Sequence, residues 1–404
     1  MHISSFKCSG IHFTPAEQAR CPVCARKTTL FKIKESVDKD YFFGDSLTPF
    51  VGRYGYPSVN VGLLSVPEQK DESWLHDAPA YWSSKDFQIP RIVDLRSALI
   101  NSRFKLNIKG TGKFLDISQE VAMASRPVDV EVSLYKKPTF QMSFNSYNAP
   151  MGPLARLKKA EITENPKIKA SVERVYYDSD LKAKDALIYL YKKELDENFL
   201  TRILSIGTLG LKPQRRLVPT RWSITATDDT LGRYLISEIK NYPEIDTYTA
   251  YFGGYLGNYY LIMMFPEIWS YELFESYVTT PLRFATDYEL YEGRKKYAEN
   301  TVGGYYACRI GIAERLNRLK RQASVLVLRF ITNEYTVPMG VFVCREATRK
   351  SMKAKPVEFS SKELMLRYAG ALVKKRFRLD VNEILRHSLL LKKISIQKKL
   401  QAFM

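Results

Sequence analysis

The run Val128-Asp129-Val130-Glu131-Val132-Ser133-Leu134 alternates apolar and polar residues without a break. Successive side chains of a strand point to opposite faces. The run therefore puts Val128, Val130, Val132 and Leu134 on one face and Asp129 and Glu131 on the other. A chain with such a segment is not all-helical, because the apolar face has to be covered by a sheet's core. Two carboxylates side by side are also what a Mg²⁺ or Mn²⁺ site for phosphodiester cleavage needs. A solvated strand face is the plainer explanation of the same spacing.

Other segments extend the mixed pattern. Glycines and aromatics alternate densely from Phe43 to Gly62, which predicts strands joined by tight turns. Residues 64–90 are polar and read as a surface loop, with His76 a structural histidine. Residues 91–107, Ala155 to Lys159 and Leu181 to Ile203 read as helices from apolar spacings of three and four. Residues 247–265 read as a Gly/Tyr hairpin. Tyr305 to Arg321 reads as a basic helix, Ser324 to Ile331 as a buried strand and Val341 to Cys344 as another. Ser360 with Glu363 forms a capping box that opens a helix to about Arg376. Asp380 with Glu383 opens the next, toward Ile396. The fold class is α+β, with a larger N-terminal domain and a smaller basic C-terminal one. The boundaries read 1–30, 31–290, 291–396 and 397–404.

Charge points to the partner. The 404 residues carry 62 Lys/Arg against 43 Asp/Glu, a net +19. From Lys350 to Met404 there are fourteen Lys/Arg and four Asp/Glu, more than half of that excess. A balance of this kind suits a polyanion, nucleic acid first of all. Arg53 and Tyr54 stand between glycines, where they can approach a phosphate and a base, although a plain turn has the same composition. Arg215, Arg216 and Arg221 form a second basic stretch. Asp228 and Asp229 follow it, as caps of a helix beginning near Leu231 or as further metal ligands beside Asp129 and Glu131. Nothing resembles a signal peptide, and the longest apolar runs are too short to span a bilayer. An intracellular protein at the nucleoid, with no membrane partner, is expected.

Cys8, His12, Cys21 and Cys24 read C-x₃-H-x₈-C-x₂-C. Three thiolates and an imidazole at these spacings match a structural zinc site, and a segment so short needs a metal to fold. A redox CxxC is the competing reading; no thioredoxin-like strand and helix surround it. Cys308 and Cys344 sit in apolar contexts and read as core residues.

The last eight residues, Gln397 to Met404, read Q-x-x-L-x-x-F-M. This resembles the motif by which replication and repair proteins dock on the sliding clamp PCNA. Leu400 and Phe403 are three apart, so one tight turn puts both on one side. Gln397 can then bond at the pocket edge, and Met404 stands where the motif has its second aromatic. A helix end packed on its own domain is the alternative.

Val51-Gly52-Arg53-x-Gly55-Tyr56-Pro57-x-Val59, Ser125-Arg126-Pro127-Val128-Asp129-x-Glu131, the N-terminal Cys/His cluster and the clamp-type terminus together resemble the archaeal Nre proteins. The resemblance covers essentially the whole chain. It implies DNA repair and clamp binding, with an N-terminal domain of most of the length, and no defined chemistry. Three functions therefore stand. The first is a clamp-recruited DNA-binding repair factor. The second is a metal-dependent nuclease using Asp129, Glu131 and Asp228. The third is an RNA-binding zinc protein.

Overall fold

The computed structural model describes residues 24, 39–69, 71–139, 150–279 and 281–396. The chain forms two compact units. One comprises residues 1–231 with 336–340, the other 232–335 with 341–404. The α+β expectation holds, with strands and helices in both.

The first unit is built on a closed five-stranded barrel of β1 (Tyr41–Val51), β2 (Ser58–Val66), β3 (Ile100–Asn107), β4 (Val128–Leu134) and β5 (Leu154–Ile162). Around the barrel the order is β1-β2-β3-β5-β4 and back to β1. Every pair is antiparallel except β3 with β5, which is parallel. β1 serves two neighbours. Tyr41 to Ser46 pair with β4, and Asp45 to Val51 pair with β2. A register shift between Ser46 and Thr48 lets the strand turn that corner. Val128, Val130, Val132 and Leu134 point into the core as the alternation predicts, and Asp129 and Glu131 point out.

Three short helical segments lie between β2 and β3: a 3₁₀ turn (Ser73–Asp77), α1 (Pro79–Ser84) and α2 (Ile89–Ser97). The polar loop expected over 64–90 is thus partly strand and partly helix. The helix expected over 91–107 gives way to strand at Ile100. His76 bonds through Nδ1 to the Ser73 carbonyl, a local structural contact. Between β3 and β4 runs α3 (Lys113–Met123), whose Ile117 and Val121 join the barrel core.

Ala155 to Lys159 is not a helix but part of β5. A register shift at Ser133/Leu134 puts one extra residue into β5, so its inward Leu157 and Ala160 fall three apart and imitate a helical spacing. The segment from 181 to 203 is two helices, α5 (Ala183–Lys192) and α6 (Glu197–Ser205), preceded by α4 (Ala170–Tyr177). Glu194 breaks them apart in the left-handed region, and Asp196 caps α6 through the amides of Asn198 and Phe199, both at 2.8 Å. The division between the units falls within α7 (Thr220–Ile239).

The second unit has a six-stranded sheet in the order β11-β6-β7-β10-β8-β9. These strands are β6 (Tyr248–Tyr255), β7 (Asn258–Phe265), β8 (Ser270–Tyr277), β9 (Arg283–Glu289), β10 (Ser324–Ile331) and β11 (Val357–Phe359). β6 and β7 form the expected hairpin. Leu256 and Gly257, both at positive φ, make its two-residue turn. β10 is buried along its whole length, as its unbroken apolar run predicts.

Val341 to Cys344 is not a strand. Phe342 opens α9 (Phe342–Ser351), which packs with α8 (Val302–Leu319) and against β6 and β7. Cys308 and Cys344 are buried in these two helices, as expected of core residues. α10 (Lys362–Phe377) contributes Met365, Ala369 and Val373 to the core around the sheet. Its cap is Ser361, not Ser360: the Ser361 hydroxyl accepts the Leu364 amide at 3.2 Å.

The helix expected from Asp380 to Ile396 is split into α11 (Asn382–Leu385) and α12 (Leu389–Ile396). The break has a partner in β8. Buried Glu272 accepts the amides of Leu389 at 3.0 Å and Leu390 at 3.1 Å and the hydroxyl of Ser388. A carboxylate at a helix start satisfies free amides and complements the helix dipole. Among the described residues no helix is long and apolar enough to cross a membrane.

Candidate nucleic-acid interface

Most of the basic and aromatic residues singled out above gather at one end of the barrel. Gly52 to Pro57 form the turn between β1 and β2. Gly55 holds φ +83°, and a Cβ there would stand 2.7 Å from the Ser58 carbonyl oxygen, so the turn requires glycine. The Tyr56–Pro57 peptide is cis. Tyr54 is 69% exposed, and the Arg53 guanidinium lies 5.0 Å from its ring centre while donating to its hydroxyl at 3.3 Å. Tyr56 is 46% exposed and meets Trp222, 45% exposed, with ring centres 5.3 Å apart.

The start of α7 is brought to this turn by hydrogen bonds. Val51 donates its amide to the Thr220 hydroxyl at 2.9 Å. Ile108 donates to the Pro57 carbonyl at 2.9 Å and Leu217 to the Ile108 carbonyl at 2.8 Å. The residues flanking these anchors, Arg216 and Arg221, are exposed. The structure therefore brings Arg53, Tyr54, Arg216 and Arg221 to one end of the barrel. It also adds Tyr56 and Trp222, whose part the sequence reading missed. The signal was present in Tyr56 beside Tyr54, but the contact with Trp222 spans too much sequence to be read from it.

Arg215 does not belong with them. Its guanidinium donates to the carbonyls of Gly210, Tyr176 and Asp178 at 2.8, 2.7 and 2.7 Å. It closes the end of α4, where helix carbonyls lack internal partners. Arg202 does the same for α3, donating to Ala122 at 2.8 Å and to Ala124. Its burial lowers the guanidinium's pKa.

The carboxylates sort differently. Asp129 lies opposite Asp45 in the β1–β4 ladder, and Glu131 lies opposite Glu161 in the β4–β5 ladder. Glu161 is already paired with Lys159 at 3.1 Å and Lys113 at 3.4 Å. These lysines, Lys159 first, hold its pKa below the ordinary glutamate value. Asp228 is neither a helix cap nor beside the other two. α7 begins at Thr220, so Asp228 falls within the helix, fully buried next to Thr227. Among the described residues, no three His, Cys, Asp or Glu side chains gather into a group that could hold a metal ion. The residues Cys8, His12 and Cys21 lie outside the described residues, and Cys24 is buried. Gln397, Leu400, Phe403 and Met404 also lie outside them.

Comparison with known proteins places the chain. Residues 16–282 match the family model described as archaeal Nre, N-terminal, and residues 289–403 match archaeal Nre, C-terminal. A protein of Archaeoglobus fulgidus called DNA repair protein NreB is 36% identical over 394 residues, covering 95% of this chain and 97% of that one. A protein of Haloferax volcanii called DNA repair protein NreA is 36% identical over 338 residues, 80% of each chain. A second Archaeoglobus fulgidus protein, also called DNA repair protein NreA, is 35% identical over 357 residues, 85% of this chain and 88% of that one. No solved structure matches. The resemblance first carried by the phrases around Arg53 and Asp129 holds over nearly the whole length, and the chain belongs to the archaeal Nre family.

Proposed function

We propose that this chain is a DNA repair protein that binds DNA at the nucleoid and is brought there by the sliding clamp PCNA. The observation that carries the repair role is the alignment over nearly its whole length with relatives called DNA repair proteins. DNA binding is supported by the net charge of +19 and by the grouping of Arg53, Tyr54, Arg216 and Arg221. Clamp recruitment is supported by the terminal Gln397-x-x-Leu400-x-x-Phe403-Met404. Cys8, His12, Cys21 and Cys24 hold a structural Zn²⁺ in this reading, their thiolates and imidazole being the donors zinc prefers.

The test is incubation of the purified protein with labelled single-stranded, duplex and forked DNA, with and without Mg²⁺ or Mn²⁺. An Asp129→Ala/Glu131→Ala variant runs alongside. Binding without products is the expected result. Metal-dependent products that vanish in the variant would replace the recognition reading with a nuclease. Elemental analysis should find one zinc per chain, and Cys21→Ser should lose it; full retention would remove these ligands from the assignment.

A further inference from the structure

The barrel of the first unit has the strand order β1-β2-β3-β5-β4, a parallel β3–β5 pair, a helix between β3 and β4, and a first strand bent by a bulge to serve two neighbours. That is the topology of the OB-fold, a five-stranded Greek-key barrel that binds oligonucleotides or oligosaccharides on the face of its second and third strands and the loop between its first two. Topology alone assigns no ligand, because folds host many functions. The side chains on this face decide the question.

Val59, Val61, Ile100 and Leu63 point inward, so Ser58, Asn60 and Gly62 of β2 and Arg103, Lys105 and Asn107 of β3 form the outer face. The ladder sets Asn60 against Lys105, Gly62 against Arg103, and Arg103 beside Arg156 of β5. β2, β3 and the turn between β1 and β2 contain no Asp or Glu. Arg103 is half-buried. Among the described residues no side-chain acceptor or carboxylate pairs with it, and desolvation lowers its pKa. A desolvated guanidinium without a counter-charge is a costly arrangement that an anionic ligand relieves. Arg156 lies 4.7 Å from the ring centre of Tyr135, which is itself exposed. The face thus carries Arg103, Lys105 and Arg156 beside buried Gly62, with the rings of Tyr54, Tyr56 and Trp222 at the end where β2 begins and β3 ends.

We infer that this face binds single-stranded DNA, the phosphates following Arg103 and Lys105 and the bases stacking on Tyr54 and on the Tyr56–Trp222 pair. The inference rests on the DNA-binding reading above and adds the surface and the strandedness. A cationic groove with exposed rings suits unpaired bases, whose faces are free, whereas a duplex keeps its bases stacked on one another. An oligosaccharide would leave Arg103 without an anion.

The test is fluorescence anisotropy of the full chain with labelled oligo(dT), oligo(rU) and a hairpin duplex of equal length, over a salt series. Oligo(dT) should bind more tightly than the duplex. Tyr54→Ala should weaken oligo(dT) binding about tenfold, as the loss of one stacking ring does, with the duplex unaffected. Lys105→Glu should lower the slope of log affinity against log salt by about 0.7 or more for the strand. Both side chains are exposed, so unchanged thermal melts confirm that the variants fold. Lys374→Glu/Lys375→Glu, in α10 of the second unit, serves as a basic control outside the barrel. Duplex preference, or single-strand binding that survives both face variants and is lost in the α10 control, would overturn the inference while leaving DNA binding intact. Tighter binding of oligo(rU) would reassign the face to RNA. No binding to any probe would overturn the DNA-binding reading itself.

Discussion

Neighbouring arginines in this chain have opposite surroundings. Arg215 is turned inward onto the carbonyls of Gly210, Tyr176 and Asp178, while Arg216 faces solvent. Arg215→Ala should therefore lower stability by about 1–3 kcal/mol, the cost of leaving buried acceptors unmet, and leave the salt dependence of DNA binding unchanged. Arg216→Ala should do the reverse. Thermal melts and binding isotherms on the same two proteins check both halves, and a melt lowered equally in each would refute the division. A single sequence shows two basic residues side by side; which one is spent on a helix end depends on where that helix stops.

At the scale of elements, caps and bulges set the boundaries. Ser361 caps α10, and Ser361→Ala should cost about 1 kcal/mol by urea unfolding. Glu272 holds the start of α12, and burial raises its pKa despite the hydroxyl and amides bonded to it. A carboxyl raised in the folded state contributes stability that is fully present below its unfolded pKa and is lost as pH rises through its folded value. Stability should therefore fall from this group as pH climbs above the ordinary glutamate range. In Glu272→Gln that component should be missing, so the gap between the two proteins should change with pH across this window. A constant gap in urea unfolding from acid to neutral pH would argue against it. α12 is the last described element before the Gln397 motif.

Across the whole molecule, charge and tail act separately. Phe403→Ala should abolish most clamp binding measured by calorimetry and leave DNA affinity at its wild-type value, because the clamp motif and the barrel face share no residue. A parallel loss of DNA affinity would show the two to be coupled. With a net +19, affinity for any nucleic acid should decline steeply with salt, and every binding comparison holds only at one ionic strength.

The sequence by itself determined the features that depend on neighbours a few residues apart. The strict alternation of Val128 to Leu134 set that strand and its outward carboxylates. The glycines near Arg53 marked a turn and the apolar run of Ser324 to Ile331 a buried strand. Short-range spacing misled where tertiary context altered it. One extra residue in β5 made Leu157 and Ala160 resemble a helix, and four apolar residues from Val341 were too few to tell strand from helix. The first turns of α7 are rich in Ser and Thr and look unhelical. They are helical because Ser223, Thr227 and Leu231 share one buried stripe. Only the tertiary structure decided that β1 closes on β4 and β3 runs beside β5, pairings whose partners lie tens of residues apart. Those pairings create the barrel, and no local pattern encodes them, because they depend on burying several apolar faces at once.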